Sequence, residues 1–296
     1  VVRQEKAHPP GPVLDCAGRL LDLSQPVLMG VINTTPDSFS DGGSLYQGPV
    51  LDLEMAMARG RAMVAAGAAI LDVGGESTRP GARAVSPDEE MDRVIPLVER
   101  LVAELDVVVS VDTSSPRLMT AAARAGAAML NDVRALSREG ALAAAAATDL
   151  SVCLMHMRGE PATMQDAPEY DDVVLAVDHF LRGRVEACVA AGIPRQRLVL
   201  DPGFGFGKSV KHNLQLLQGL SRLREQGLPL MVGLSRKSLV GQLIGREVGE
   251  RLPASLALAV LAVERGAAIV RTHDVAATAD AVAMWTALVE LGEGDE

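Results

Sequence analysis

The residues able to do chemistry in this chain cluster at the ends of short aliphatic runs. GLSRKS brings Ser235, Arg236, Lys237 and Ser238 together, and RTHD sets Arg271 and His273 two positions apart, on one face of an extended strand. A forked guanidinium beside an imidazole suits a phosphate or diphosphate oxygen. The competing reading is a salt bridge to Asp112 or Asp274. For Lys237 the alternative is a Schiff base, its pKa lowered by the neighbouring arginine.

DPGFGFGKS resembles two phosphate-binding motifs and satisfies neither. The residue five before Gly207 is Pro202 where a Walker A motif needs glycine, and the glycines at 203, 205 and 207 do not fit G-x-G-x-x-G. The glycines instead let the backbone approach a flat ligand, with Asp201 accepting its hydrogen bonds. Two long polar segments flank other runs. TTPDSFSDGGSLYQG carries Asp37, Phe39 and Asp41, and ESTRPGARAVSP carries Thr78, Arg79 and Pro80. Both read as binding loops or lids, against the plainer reading of solvated turns. Asn33, Asp37, Asp41 and Asp112 offer the hard oxygens that Mg2+ takes, whereas the five histidines lack zinc-like spacing.

These groups require a scaffold that brings many strand ends to one place. Eight aliphatic runs (27–33, 69–74, 107–113, 128–133, 151–157, 197–202, 229–235 and 268–274) alternate with helical segments near 51–66, 88–104, 116–125, 138–147, 171–191, 211–226, 254–265 and 276–291. Eight strand–helix units predict an α/β fold of the (β/α)8 TIM barrel type, with an open doubly wound sheet as the alternative. Asn33, Asp72, Glu76, Asp112, Asn131, Asp132, His156, Asp201, Ser235, Arg271 and His273 then converge on one mouth. Glycines in AAGAAI, ARAGAAM, VAAGI and ERGAAI are expected to end helices. VLDCAGRLLDL, within 13–24, predicts a hairpin closing the barrel bottom; residues 1–12 are expected to be flexible, and 1–296 reads as a single domain.

Composition narrows the partners. A net charge of −10 and 2% aromatic residues disfavour nucleic acid and anionic membranes. Apolar runs are too short for a membrane span, and the N-terminal VVRQEKAHPPG lacks the apolar stretch of a signal peptide. The three cysteines, Cys16, Cys153 and Cys188, form no Cys-x-x-Cys pair. A soluble, cytoplasmic protein is expected.

The segments GVINTTPDSFSDGG (30–43), ILDVGGESTRPG (70–81) and DPGFGFG (201–207) resemble those of the dihydropteroate synthases of folate biosynthesis, supported in order by SVDTS, LND, LMHM, GLSRKS and RTHDV. The resemblance spans roughly 13–290. Thr34, Arg134, Arg158 and Glu160 depart from the usual pattern. The resemblance implies a pterin-binding barrel that joins p-aminobenzoate to 6-hydroxymethyl-dihydropterin diphosphate, releasing pyrophosphate. It implies that Asp112, Asn131, Asp201 and Lys237 bind the pterin ring, with Met155 and Phe206 packed against it. Arg271, His273 and Asn33 would hold the diphosphate, with Mg2+ at Asn33, and Asp112, Lys237, Arg271 and His273 would form the catalytic set. Phe39, Thr78, Arg79, Pro80 and Ser238 would close over p-aminobenzoate. A homodimer and sulfonamide targeting are family expectations. The rivals are a corrinoid-dependent methyltetrahydrofolate methyltransferase, which lacks the SRK, RTHD and TPDSFSDGG features, and a non-catalytic pterin-binding protein.

Overall fold

The computed structural model describes residues 12–35, 46–47, 50–77, 85–159, 164 and 168–293. Strands β1 (Val13–Cys16) and β2 (Arg19–Asp22) form the expected antiparallel hairpin. The barrel strands are β3 (Val27–Asn33), β6 (Ala68–Gly74), β7 (Val108–Asp112), β8 (Met129–Asp132), β9 (Ser151–Met155), β10 (Leu198–Asp201), β11 (Met231–Gly233) and β12 (Ile269–Thr272). A small antiparallel pair, β4 (Tyr46–Gln47) and β5 (Val50–Leu51), lies in the segment after β3. The eight barrel strands are all parallel, in the order β10-β9-β8-β7-β6-β3-β12-β11, and a parallel bridge between Leu200 and Leu230 joins the two ends. The eight expected strands are therefore the eight of a (β/α)8 barrel.

The helices are α1 (Leu53–Ala65), α2 (Pro87–Glu104), α3 (Pro116–Arg124), α4 (Ala141–Ala146), α5 (Val173–Ala190), α6 (Val210–Gln218), α7 (Leu220–Arg224), α8 (Ser238–Ile244), α9 (Leu252–Glu264) and α10 (Val275–Glu293). Three details differ from the sequence reading. The helix expected at 211–226 breaks at Gly219, where a Cβ would lie 2.8 Å from Val174 of α5; close packing requires glycine there, and glycine in turn weakens the helix. The short helix α8 precedes α9, and α4 begins only after Gly140, which adopts φ +79°. The four glycines expected to end helices, Gly67, Gly126, Gly192 and Gly266, have φ between +89° and +96°, the left-handed region that side chains avoid.

The alternation of strand side chains builds the site from below. Met29, Ile70, Val108, Met129, Cys153, Val199, Met231 and Ile269, one from each barrel strand, pack with Leu14, Cys16 and Leu23 of the hairpin region into one buried cluster. This apolar plug closes the barrel bottom. Two residues further along each strand, the same phase gives Val31, Asp72, Ser110, Asn131, Met155, Asp201, Gly233 and Arg271. The opposite phase (Leu28, Ile32, Leu71, Val73, Val109, Val111, Leu130) packs outward into the larger core beneath the helices. A mostly polar layer thus sits directly over an apolar floor.

Candidate active site

Asp72 is the centre of the polar layer. It is fully buried and accepts hydrogen bonds from Ser110 Oγ (2.7 Å), Asn131 Nδ2 (3.0 Å) and Arg271 Nε (2.7 Å). Arg271 reaches a second carboxylate through Nη2, which donates to Asp112 Oδ2 at 3.0 Å. Burial disfavours the charge on Arg271, but Asp72 and Asp112 reverse that effect and hold its pKa above the ordinary arginine value. Burial and the negative charge of Asp72 push Asp112 the other way for an acid, up to about 8, against the pull of Arg271. Two carboxylates therefore share one guanidinium, and one of them, Asp112, is raised toward its neutral form.

Asn131 supplies an open acceptor. Its Nδ2 is engaged by Asp72, while its buried Oδ1 has no hydrogen-bond partner among the described residues. An unsatisfied buried amide oxygen costs about 1 to 3 kcal/mol, so a ligand N–H placed there has a strong claim on it. Asp201 ends β10, two strands from Asn131, and is paired in register with Met155 of the intervening β9. Its Oδ1 accepts from Gly203 N at 2.7 Å. Burial raises its pKa, opposed by Lys237, the Gly203 N–H, Arg271 and Lys208.

The turn after β10 is set by its glycines. Gly203, Gly205 and Gly207 all have positive φ, and a Cβ on Gly203 would lie 1.9 Å from the carbonyl oxygen of His156. That approach brings Phe206 beside Lys237, whose Nζ lies 4.8 Å from the ring centroid and also donates to Phe204 O. Burial, followed by the charge of Arg271, lowers the Lys237 pKa to about 8, with Asp201 opposing. The neighbouring Arg236 is not the cause expected from sequence: it turns away in a left-handed conformation (φ +56°) and pairs with Asp274 through Nε at 2.8 Å and through Nη2. Of the two acids weighed as salt-bridge partners for the RTHD pair, Asp112 takes Arg271 and Asp274 takes Arg236.

His273 sits just past β12, its Nδ1 3.1 Å from Ser235 Oγ. Burial, then the charges of Arg271 and Arg236, pull its pKa to about 3, so the imidazole is neutral near pH 7 and presents one N–H donor. Ser238 opens α8 at the exposed rim. Asn33 ends β3, in register with Gly74, which is itself in register with Asp112. Phe39, Thr78, Arg79 and Pro80, along with Asp37 and Asp41, lie outside the described residues.

The structure therefore gathers Asp112, Asn131, Met155, Asp201, Phe206, Lys237, Arg271 and His273 around one barrel mouth. Sequence reading noted Asp72 as a strand-end acid but gave it no role, and it missed Ser110 and Lys208. The signal for Asp72 and Ser110 was present: each lies two residues after a plug residue, in the inward phase.

The pterin binding enzyme family model matches residues 29–273. The dihydropteroate synthase of Escherichia coli K12 is 51% identical over 265 residues, covering 90% of this chain and 92% of that one. The Yersinia pestis dihydropteroate synthase, solved with a sulfonamide drug complex, superposes with a TM-score of 0.90 at 50% identity, covering 94% of this chain and 99% of that one. The Xanthomonas albilineans dihydropteroate synthase, solved with 4-aminobenzoic acid, superposes with a TM-score of 0.86 at 52% identity, covering 94% and 98%. With matches of this extent, and with the polar layer that the barrel assembles, this chain belongs to the pterin binding enzyme family, among its dihydropteroate synthases.

Proposed function

We propose that this barrel condenses p-aminobenzoate with (7,8-dihydropterin-6-yl)methyl diphosphate to give 7,8-dihydropteroate and pyrophosphate. The observation that carries the substrate assignment is the ring of Asp72, Asn131, Asp201 and Arg271 above an apolar floor, with the Asn131 oxygen unsatisfied. A pterin edge offers several N–H donors and ring acceptors in one plane, which such a ring of polar groups can pair. Met155 and Phe206 supply apolar and aromatic surface for the ring faces, and Lys237 a donor beside Phe206.

The residues at the mouth suit a dissociative displacement. Arg271 and neutral His273 place donors where the diphosphate departs, and Asp72, which shares Arg271 with Asp112, sets negative charge near the methylene carbon as it becomes cationic. Preorganised charge of this kind stabilises the transition state without reorganising at the moment of reaction. Ser238, Phe39, Thr78, Arg79 and Pro80 remain our assignment for p-aminobenzoate, held so that its amine attacks the carbon.

Mg2+ fits the donor set. Asn33 offers a neutral hard oxygen at the mouth, and Mg2+ commonly uses one or two protein ligands plus substrate phosphates. No cluster of three His, Cys, Asp or Glu forms a cage among the described residues, so diphosphate oxygens would complete the shell. When bound, the ion would neutralise charge on the departing diphosphate.

The assembly we assign is a homodimer in the cytoplasm, with no nucleic acid or membrane partner. Met284, Leu288 and Leu291 of α10, spaced four and three residues apart, are exposed in a stripe that a second copy could cover. No described helix is long and apolar enough to cross a membrane.

Incubation with Mg2+, the dihydropterin diphosphate and p-aminobenzoate, following dihydropteroate and pyrophosphate together, tests the reading. Equal amounts of both are expected; pterin binding with neither product would overturn it in favour of a pterin-binding protein or methyltransferase relative.

A further inference from the structure

Lys208 lies outside the ring of groups that face the pterin, yet it is one of the most buried cations of the chain, 3% exposed. Its Nζ is surrounded by acceptors: Gly203 O at 2.8 Å, His156 Nδ1 at 2.9 Å, Phe206 O at 3.0 Å and His156 O at 3.3 Å. An ammonium group has three N–H donors and no lone pair, which matches a shell made of acceptors. The imidazole of His156 is available as one of them because burial, then Lys208, pulls its pKa to about 3 and keeps it neutral. Burial also pulls Lys208 well below the ordinary lysine value, with Asp201 favouring the charged form.

The four acceptors come from two different strand ends. His156 follows β9, which carries Met155; Gly203 and Phe206 belong to the turn after β10, which carries Asp201. The same turn is held on its far side by Asn213 of α6, whose Oδ1 accepts from Gly205 N at 2.7 Å and whose Nδ2 donates to Lys208 O at 3.1 Å. Glycine-rich turns have many backbone conformations to lose, so this one keeps a single shape only if it is tied. Without the ammonium, the carbonyl oxygens of His156, Gly203 and Phe206 would converge with only the Phe206 N–H, which donates to Gly203 O at 3.1 Å, among them.

We infer that Lys208 is a positioning residue for the pterin: it ties the 203–206 turn to the end of β9 and thereby fixes Phe206, the Phe204 carbonyl that holds Lys237, and the Gly203 N–H that orients Asp201. The inference rests on the pterin reading of the site. It assigns to Lys208 no contact with substrate and no part in the diphosphate or p-aminobenzoate subsites.

Calorimetry with a dihydropterin ligand and steady-state kinetics on Lys208→Met and Lys208→Gln test it, with circular dichroism and thermal melting to establish that each variant is folded. Lys208→Met keeps an unbranched side chain one atom shorter and without donors, and Lys208→Gln keeps two N–H donors. In Lys208→Met the pterin Kd and the KM for the pterin diphosphate should rise about tenfold or more, while the KM for p-aminobenzoate stays within about twofold. Lys208→Gln should lie between it and the unchanged chain. A role in stability alone would lower the melting temperature and leave both KM values of the folded protein where they were, and that result overturns the proposal. Equal losses for both substrates overturn it too. If only Lys208→Gln folds, its pterin Kd decides: a rise of about threefold supports the role and an unchanged value refutes it. If the unchanged chain itself fails to bind the pterin, the pterin reading is what fails, and the comparison of variants is not reached.

Discussion

Arg271 donates from Nε to Asp72 Oδ2 at 2.7 Å, joining side chains 199 positions apart in the sequence. Asp72 is fully buried and the Arg271 side chain is 22% exposed, so the pair sits where the charges are only partly screened by water. Because Asp72 also accepts from Ser110 and Asn131, one carboxylate orients both the cation we assign to the diphosphate and the amide we assign to the pterin edge.

Asp72→Asn should therefore disturb both subsites. Removing one partner of a buried pair costs about 3 kcal/mol where the other charge is left uncompensated; Asp112 still pairs with Arg271, so a loss of about 1 to 3 kcal/mol is expected. Chemical denaturation should show a loss of that order, and turnover should fall with it. A loss under about 1 kcal/mol, the scale of a surface pair, would mean that the ion pair contributes little to the fold.

Arg271→Ala discriminates the diphosphate assignment. The diphosphate-bearing pterin should lose at least about tenfold more affinity than the free hydroxymethyl pterin, since charge-assisted hydrogen bonds to phosphate are the stronger ones. Both should weaken to some degree, because Asp72 and Asp112 lose their shared cation. Equal losses in calorimetry would contradict the assignment.

Asp201→Ala should abolish measurable pterin binding. The carboxylate ends β10 inside the barrel, and its replacement leaves the pterin edge without its carboxylate acceptor while freeing the Gly203 N–H. Unchanged affinity in calorimetry would remove Asp201 from the pterin site.

Glu90 gives a prediction about pH. It is 5% exposed, its Oε1 has no hydrogen-bond partner among the described residues, and burial raises its pKa to about 7, with Thr113 opposing. The folded-state pKa exceeds the unfolded one, so the native state gains from the neutral acid at low pH and loses that advantage as pH rises from about 4.5 through 7. Glu90→Gln removes the ionisation. Its stability relative to the parent chain should climb across this window and level off above it, by up to about 3 kcal/mol. His156 and His273, both depressed, act with the opposite slope as pH falls below about 6.5, but they cancel in the difference between variant and parent. A difference that stays flat from pH 5 to about 8.5 would place the Glu90 pKa near that of an exposed acid.

Local information decided much of this protein. The eight aliphatic runs, the glycines after the helices and the polar residue at each strand end are properties of short segments, because strand period and left-handed helix ends are set by a few neighbouring residues. They sufficed for the (β/α)8 fold and for Asp112, Asn131, Asp201, Lys237, Arg271 and His273 as a group. The motifs then supplied the family.

Closure of the barrel decided the rest. Which acid would take Arg271 could not be read from spacing, since Asp72, Asp112 and Asp274 are all acids near strand ends, and only the register of β12, β3, β6 and β7 brings the first two within reach. Arg236 and Lys237, adjacent in sequence, part because a left-handed residue turns one toward Asp274 and the other toward Phe206. Lys208 looked like half of a phosphate motif and is a buried tie between two strand ends. Side-chain partners across a barrel depend on register, shear and the depth of burial, and those are fixed when all eight strands meet rather than in any one of them.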